Sequence, residues 1–183
     1  MKNLILTLII ILSLTCKAQT KIIGIDDYSE DITDGSYLKD IELDLNKFEG
    51  TWTFTNINTS LTIKLRKIVK YYGEDYYVDL LIGSYKYVEN GVVVVDFLDR
   101  ANDILIPPYN QYIVGSTILY KGMKPSCVDC EQLEKRVALS FRDPDLNRSH
   151  ISGLGRMVLR YKNILGTEKL ECKIFINGSH IQP

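Results

Sequence analysis

Four cysteines, two histidines, a single tryptophan and five prolines in 183 residues leave little room for several kinds of chemistry. No Gly-x-Ser-x-Gly marks a nucleophile elbow, and "GLGR" at Gly153 and Gly155 lacks the third glycine and strand–helix setting of a nucleotide loop. With 23 acidic residues, no carboxylate pair stands out as a glycosidase would require. Charge of one sign is also missing. The 22 basic residues nearly balance the acids, for a net charge of −1. Long-range attraction to nucleic acid or an anionic membrane is therefore not expected, short of a local patch. No cofactor motif is present.

The chain is long enough for one domain with a substantial core and too short for two ordinary ones. It opens with Lys2 and the apolar run "LILTLIIILSL", too short to span a bilayer. We read residues 1–18 as an export signal, with small residues Cys16 and Ala18 placing the cut after Ala18. The alternative is a lipoprotein anchored through Cys16, which the bulk of Thr15 disfavours. Otherwise the expectation is a periplasmic or secreted protein with no membrane span after signal removal. Cys127, Cys130 and Cys172 would then lie in an oxidising compartment, where three thiols allow one bridge and leave one over.

Residues 19–36 carry Asp26, Asp27, Glu30, Asp31 and Asp34. Their spacing lacks the alternating acids, Gly and terminal Glu of a calcium loop, so the segment reads as a solvated, flexible acidic arm. Residues 37–183 then form a single β domain. Leu38, Ile41, Leu45 and Phe48 recur at helical spacing, which predicts a short helix from Ser36 to Gly50. Beyond Gly50 the period changes to two. Trp52 and Phe54 share one face, and Leu61, Ile63 and Leu65 alternate with polar neighbours until a bulge expected at Arg66-Lys67. Asn90-Gly91 is a two-residue hairpin signal. Pro107-Pro108 marks a long loop, and strands follow at residues 112–120, 135–141, 156–161 and 170–176. The sum is mainly β, about eight antiparallel strands, in a barrel or a two-layer sandwich.

A short amphipathic helix followed by Gly50-x-Trp52 resembles the lipocalin and wider calycin pattern. That resemblance implies an eight-stranded barrel whose Trp plugs one end beneath a late arginine, Arg156 or Arg160 here. The block "YLKDIELDLNKFEGTW", an export signal and a late cysteine-bearing loop are similar to a family of small exported bacterial proteins of unknown function. It implies bacterial export and a calycin-like architecture, and transfers no catalytic residue.

A calycin-like barrel points to non-catalytic binding of a small, largely apolar ligand. From the strand alternation, Trp52, Phe54, Ile63, Val78 and Leu139 are the expected inward positions. If the barrel is filled by its own side chains, the alternative is an envelope-associated interaction protein. It would use the 12 tyrosines, doubled at Tyr71-Tyr72 and Tyr76-Tyr77, as half-apolar contacts. A lesser alternative is thiol–disulfide chemistry at "PSCVDCEQLEK". There Ser126 and Asp129 would cap a short helix and lower a thiol pKa, against the acids Asp129, Glu131 and Glu134. The structural expectation pairs Cys127 or Cys130 with Cys172. Zinc on Cys127, Cys130, His150 and His180 lacks a second closely spaced ligand pair. The Asn-x-Ser sequons at Asn58, Asn147 and Asn177 are incidental in a bacterial host.

Overall fold

Period-two patterning after Gly50 becomes one long, bent sheet. The computed structural model describes residues 20–143, 154–176 and 179–181. The expected export signal with Cys16, and His150, Asn147, Gly153 and Asn177, lie outside the described residues, as does the side chain of His180. Eleven strands are described: β1 (Ile22–Gly24), β2 (Tyr37–Lys39), β3 (Gly50–Asn56), β4 (Thr59–Tyr72), β5 (Tyr77–Glu89), β6 (Val92–Asp96), β7 (Ile113–Leu119), β8 (Arg136–Arg142), β9 (Leu154–Ile164), β10 (Thr167–Ile176) and β11 (Ser179–Ile181).

The antiparallel backbone of the fold runs β3-β4-β5-β7-β8-β9-β10-β11. β5 is the hub. β4 occupies one of its edges, while β2, β7 and β6 share the other at Tyr77–Val78, Leu81–Gly83 and Lys86–Glu89. The sheet is not closed into a barrel: among the described pairings β3 bonds only β4, and β10 bonds only β9 and β11. Two pairings, β1–β2 and β2–β5, are parallel, and the expectation of about eight antiparallel strands did not place them.

Turn chemistry accounts for the hairpins. Asn90 and Gly91 adopt φ of 50° and 78°, and Leu165 and Gly166 adopt 50° and 83°, the mirror-image geometry that suits two-residue connections. At Gly83 an added Cβ would lie 2.4 Å from the Lys64 carbonyl oxygen, so only glycine lets β4 and β5 pack at this level. The bulge falls between Ile68 and Tyr71, a few residues beyond the Arg66-Lys67 position expected. There Lys70 turns to φ 53° and gives its N–H to Asp79.

The inward face packs the main core. Ile63, Leu81, Ile113, Ile118, Leu139 and Met157 are buried there together with Leu45 and Phe48. The helix expected between Ser36 and Gly50 is instead strand β2, turns and a single 3-10 turn, Asn46–Phe48. Positive φ at Leu43 interrupts any longer helix, and Leu45 and Phe48 still reach the core. Two irregular segments cover the outward face. Residues 97–111 lie over Leu80 and Ile82, and residues 121–135 lie over Ala138 and Val158. The expected acidic arm differs as well. Ile23 and Ile25 are buried, the Tyr28 hydroxyl donates to the Ile118 carbonyl, and Tyr120 donates to Asp26 at 2.8 Å. Its apolar alternation at Ile23 and Ile25 outweighs the surrounding charge.

Candidate functional site

The doubled tyrosines come together where β4 and β5 meet. Tyr72 and Tyr77 face each other across the pair with ring centroids 4.9 Å apart. The Lys70 ammonium lies 5.2 Å from the Tyr77 ring and 5.6 Å from the Tyr37 ring, within cation–π range. On the other face Tyr71 meets Tyr109 edge-on at 5.6 Å, above buried Leu80 and Ile82.

A buried carboxylate anchors this end. Asp79 accepts the Tyr37 hydroxyl at 2.6 Å and the N–H groups of Asp40 and Lys70 at 3.0 and 2.7 Å. Three donors offset its desolvation. Desolvation, reinforced by Asp79, drives the Tyr37 phenol far above its ordinary range, so it stays a neutral donor. Neighbouring Asp40 takes the N–H groups of Asp44 and Leu45 and the Lys67 ammonium at 2.6 Å. "KD" in the block at residues 37–52 thus supplies a structural carboxylate. Above this base Tyr72 and Tyr109 remain 52% and 46% exposed. Burial also raises the Tyr109 phenol, so the exposed rim offers flat apolar area and neutral hydroxyls. No nucleophile–base pair is evident among the described residues of this rim.

The expected cavity residues separate. Trp52, Ile63 and Leu139 belong to the main core. Val78 does not: it points to the opposite face with Leu80 and Ile82. β5 is apolar on both faces, so alternation could not tell them apart. Phe54 is on the inward face, opposite Leu61, yet 44% exposed, because β3 runs beyond the core. Leu139, Met157, Leu159, Ile113 and Ile118 have essentially no accessible surface, which leaves no ligand-sized void against them. Two surface depressions among the described residues lie elsewhere, one at the β3–β4 tip around Ile57 and one beside Phe97 and Arg100.

Gly50-x-Trp52 has a local explanation. Gly50 takes φ 119° as the chain enters β3, and the Trp52 indole donates to the Phe48 carbonyl at 3.0 Å. Neither late arginine crosses Trp52. Arg156 and Arg160 alternate with core-facing Met157 and Leu159 and so point outward, while Tyr161 meets Trp52 edge-on at 6.3 Å.

The cysteines also depart from expectation. Cys127 and Cys130 are joined to each other, and Cys172 is free. The sheet lies between them: the 121–135 segment covers the outward face, whereas Cys172 packs inward against the main core. Burial pushes the Cys172 thiol up to about 12. The expected capped helix is absent, replaced by turns. Asp129 instead bonds Arg160 at 2.6 Å, and Glu134 bonds the same guanidinium. Those bonds hold both carboxyls below their ordinary range. Arg136 secures the segment from beneath through the carbonyls of Pro125, Tyr120 and Met123. Sequence reasoning missed this clamp. Its only trace was two arginines at alternating positions on otherwise apolar strands. No cluster able to hold a metal occurs among the described residues.

A family model described as a family of unknown function (DUF6705) matches residues 1–182. The chain belongs to that family. Comparison with curated proteins and with solved structures returned no match. Membership in DUF6705 therefore extends over the tyrosine end, the clamp and the core alike, and assigns none of them a role.

Proposed function

We propose that this DUF6705 member is an exported, non-catalytic interaction protein that engages a partner protein through the tyrosine-bearing end of β4 and β5. The observation carrying this reading is that half-exposed tyrosines flank this end of the sheet on both faces, Tyr72 on one and Tyr109 on the other, with Asp79 and Lys70 fixing the backbone between them. Tyrosine held this way offers contact area at low entropic cost, the property of interface anchors. Export is supported by the apolar run at residues 4–14 and by a disulfide suited to an oxidising compartment. No helix among the described residues is long and apolar enough to cross a membrane.

The small-ligand reading would need an interior void, and the packing of Leu139, Met157 and Leu159 favours the surface instead. The redox reading would need a thiolate-stabilising helix end at Cys127. A photo-crosslinking residue at position 72, expressed in the native host, should give a discrete protein adduct. The same residue at Thr53 should not, and Tyr109→Ser should weaken the adduct. Equal labelling at both positions would sink the proposal.

A further inference from the structure

The near-neutral chain conceals a local excess of positive charge. On the outward face, β8 carries Arg136 and Arg142, β9 carries Arg156, Arg160 and Lys162, and β10 carries Lys169 and Lys173, against Glu171 on the strands and Asp129, Glu131 and Glu134 on the covering segment. Register sets Lys162 directly opposite Lys169, a pairing that like-charge repulsion disfavours. Glu171 relieves Lys162 at 2.5 Å, and Arg160 is taken up by the clamp. Arg156, Lys169 and Lys173 remain exposed to solvent.

Beside this face stand two apolar tips at the same end of the sheet. The first is the β9–β10 turn, where Leu165 is fully exposed (101%) at φ 50°, next to half-exposed Ile164. That turn position favours Asn, Asp or Gly, so a leucine here costs backbone strain and gains no packing within the chain. The second is the 121–135 segment, with Val128 89% and Leu133 81% exposed. Val128 sits inside the Cys127–Cys130 loop, and the adjacent Asp129 is bonded to Arg160 through both carboxylate and carbonyl. The valine is thus presented on a fixed support, with Lys121 and Lys124 on the same segment. Another exposed aliphatic pair, Ile104 and Leu105, stands near Asp99 and Asp103 instead. The 121–135 segment carries acids too, but Asp129 and Glu134 are bonded to Arg160, which leaves Glu131 as its other acid against Lys121 and Lys124.

We propose that this end is a docking face for an anionic lipid bilayer. Leu165, Val128 and Leu133 enter the headgroup layer, and Lys169 and Lys173 of β10 lie against the lipid phosphates. Shallow apolar insertion combined with basic residues is how peripheral proteins hold a membrane surface, and neither signal suffices alone. This surface is separate from the tyrosine end and does not depend on the partner proposed for it.

The test uses the full chain with vesicles of phosphatidylcholine, with and without about a quarter phosphatidylglycerol. The apolar run at residues 4–14 is common to every variant, so differences between variants belong to this face. Each lysine near an anionic surface contributes about a fivefold gain in partitioning. Lys169→Gln with Lys173→Gln should therefore lower binding to the anionic vesicles by more than tenfold and leave binding to phosphatidylcholine alone unchanged. Leu165→Ser with Val128→Ser should lower anionic binding several-fold, with an unaltered melting curve because all four side chains are exposed. An environment-sensitive dye on Leu165→Cys should shift to the blue only with phosphatidylglycerol. Equal binding to both vesicle types, no loss in the lysine variant, or an unshifted dye would each overturn the proposal.

Discussion

Two segments cover the outward face of the same sheet, and they are held in different ways. Residues 97–111 sit over β4 and β5 by packing and by arginine hydrogen bonds to backbone carbonyls. Ala101 is fully buried and receives Arg66 on its carbonyl at 3.3 Å. Arg100 lies 4.8 Å from the Tyr112 ring and donates to the Asn110 carbonyl, and Tyr109 closes on Tyr71. Residues 121–135 sit over β8 and β9 by charge and covalency: Arg160 on Asp129 and Glu134, Arg136 on three carbonyls, and the Cys127–Cys130 bond. Lys135 at its end is bonded by Asp26 and Asp44 at 2.8 and 2.6 Å. Desolvation alone would lower that ammonium's pKa, and the two hydrogen bonds outweigh it and raise it. The lesson is that one cover should resist salt, acid and reductant, while the other should respond to all three.

Breaking the clamp should produce the largest effect. Arg160→Ala leaves Glu134 half-buried without its cation and should cost ~2–3 kcal/mol in urea unfolding. That is below the toll of a fully buried pair, since the Asp129 side chain is 73% exposed. Fast amide exchange should follow across residues 121–135 and spare residues 97–111.

Removing the disulfide should cost less. It closes a loop of only a few residues, for which the chain-entropy model gives roughly 2 kcal/mol. Reduction should lower the melting temperature modestly and loosen residues 121–135 first. An equal change in 97–111, read by exchange mass spectrometry, would erase the distinction.

Acid should act more gently and on the same side. Arg160 hydrogen bonds hold Glu134 and Asp129 below their ordinary values. Their folded values lie below their unfolded ones, so the stabilisation is complete above the unfolded glutamate value of 4.5 and is lost as pH falls through the folded values. Protection of residues 121–135, corrected for the intrinsic exchange rate, should therefore fall below about pH 4 and track protonation of Glu134 and Asp129, with Glu134→Gln weakening the dependence.

Much of the sheet was legible in the residues. Alternation located β3, β4 and the late strands, and Asn90-Gly91 located a hairpin, because local sterics and one-sided burial write period two into the chain. The signal failed where both faces are buried. Val78 on β5 reads as core in either parity, and only its register opposite Tyr71 places it outward. It failed again for long-range pairings. Nothing near Ile23 announces a parallel partner at Leu38, and nothing near Cys127 says that a sheet separates it from Cys172. The tyrosines were visible as doublets, yet their assembly with Lys70 and Tyr109 depends on a bulge and on a loop that arrives more than thirty residues later. The arginine clamp was the least legible part. Its acids read as a repulsive surround for a thiolate, and only the fold shows that they belong to Arg160.

The central claim is that the interior is filled by side chains and that recognition takes place on the surface. A native mass spectrum of the protein purified without detergent tests it most directly. The account predicts a bare chain, lighter by two hydrogens for one disulfide, with no companion lost on denaturation. A lipophilic adduct that disappears on unfolding would contradict it and return the protein to the carriers of small apolar ligands.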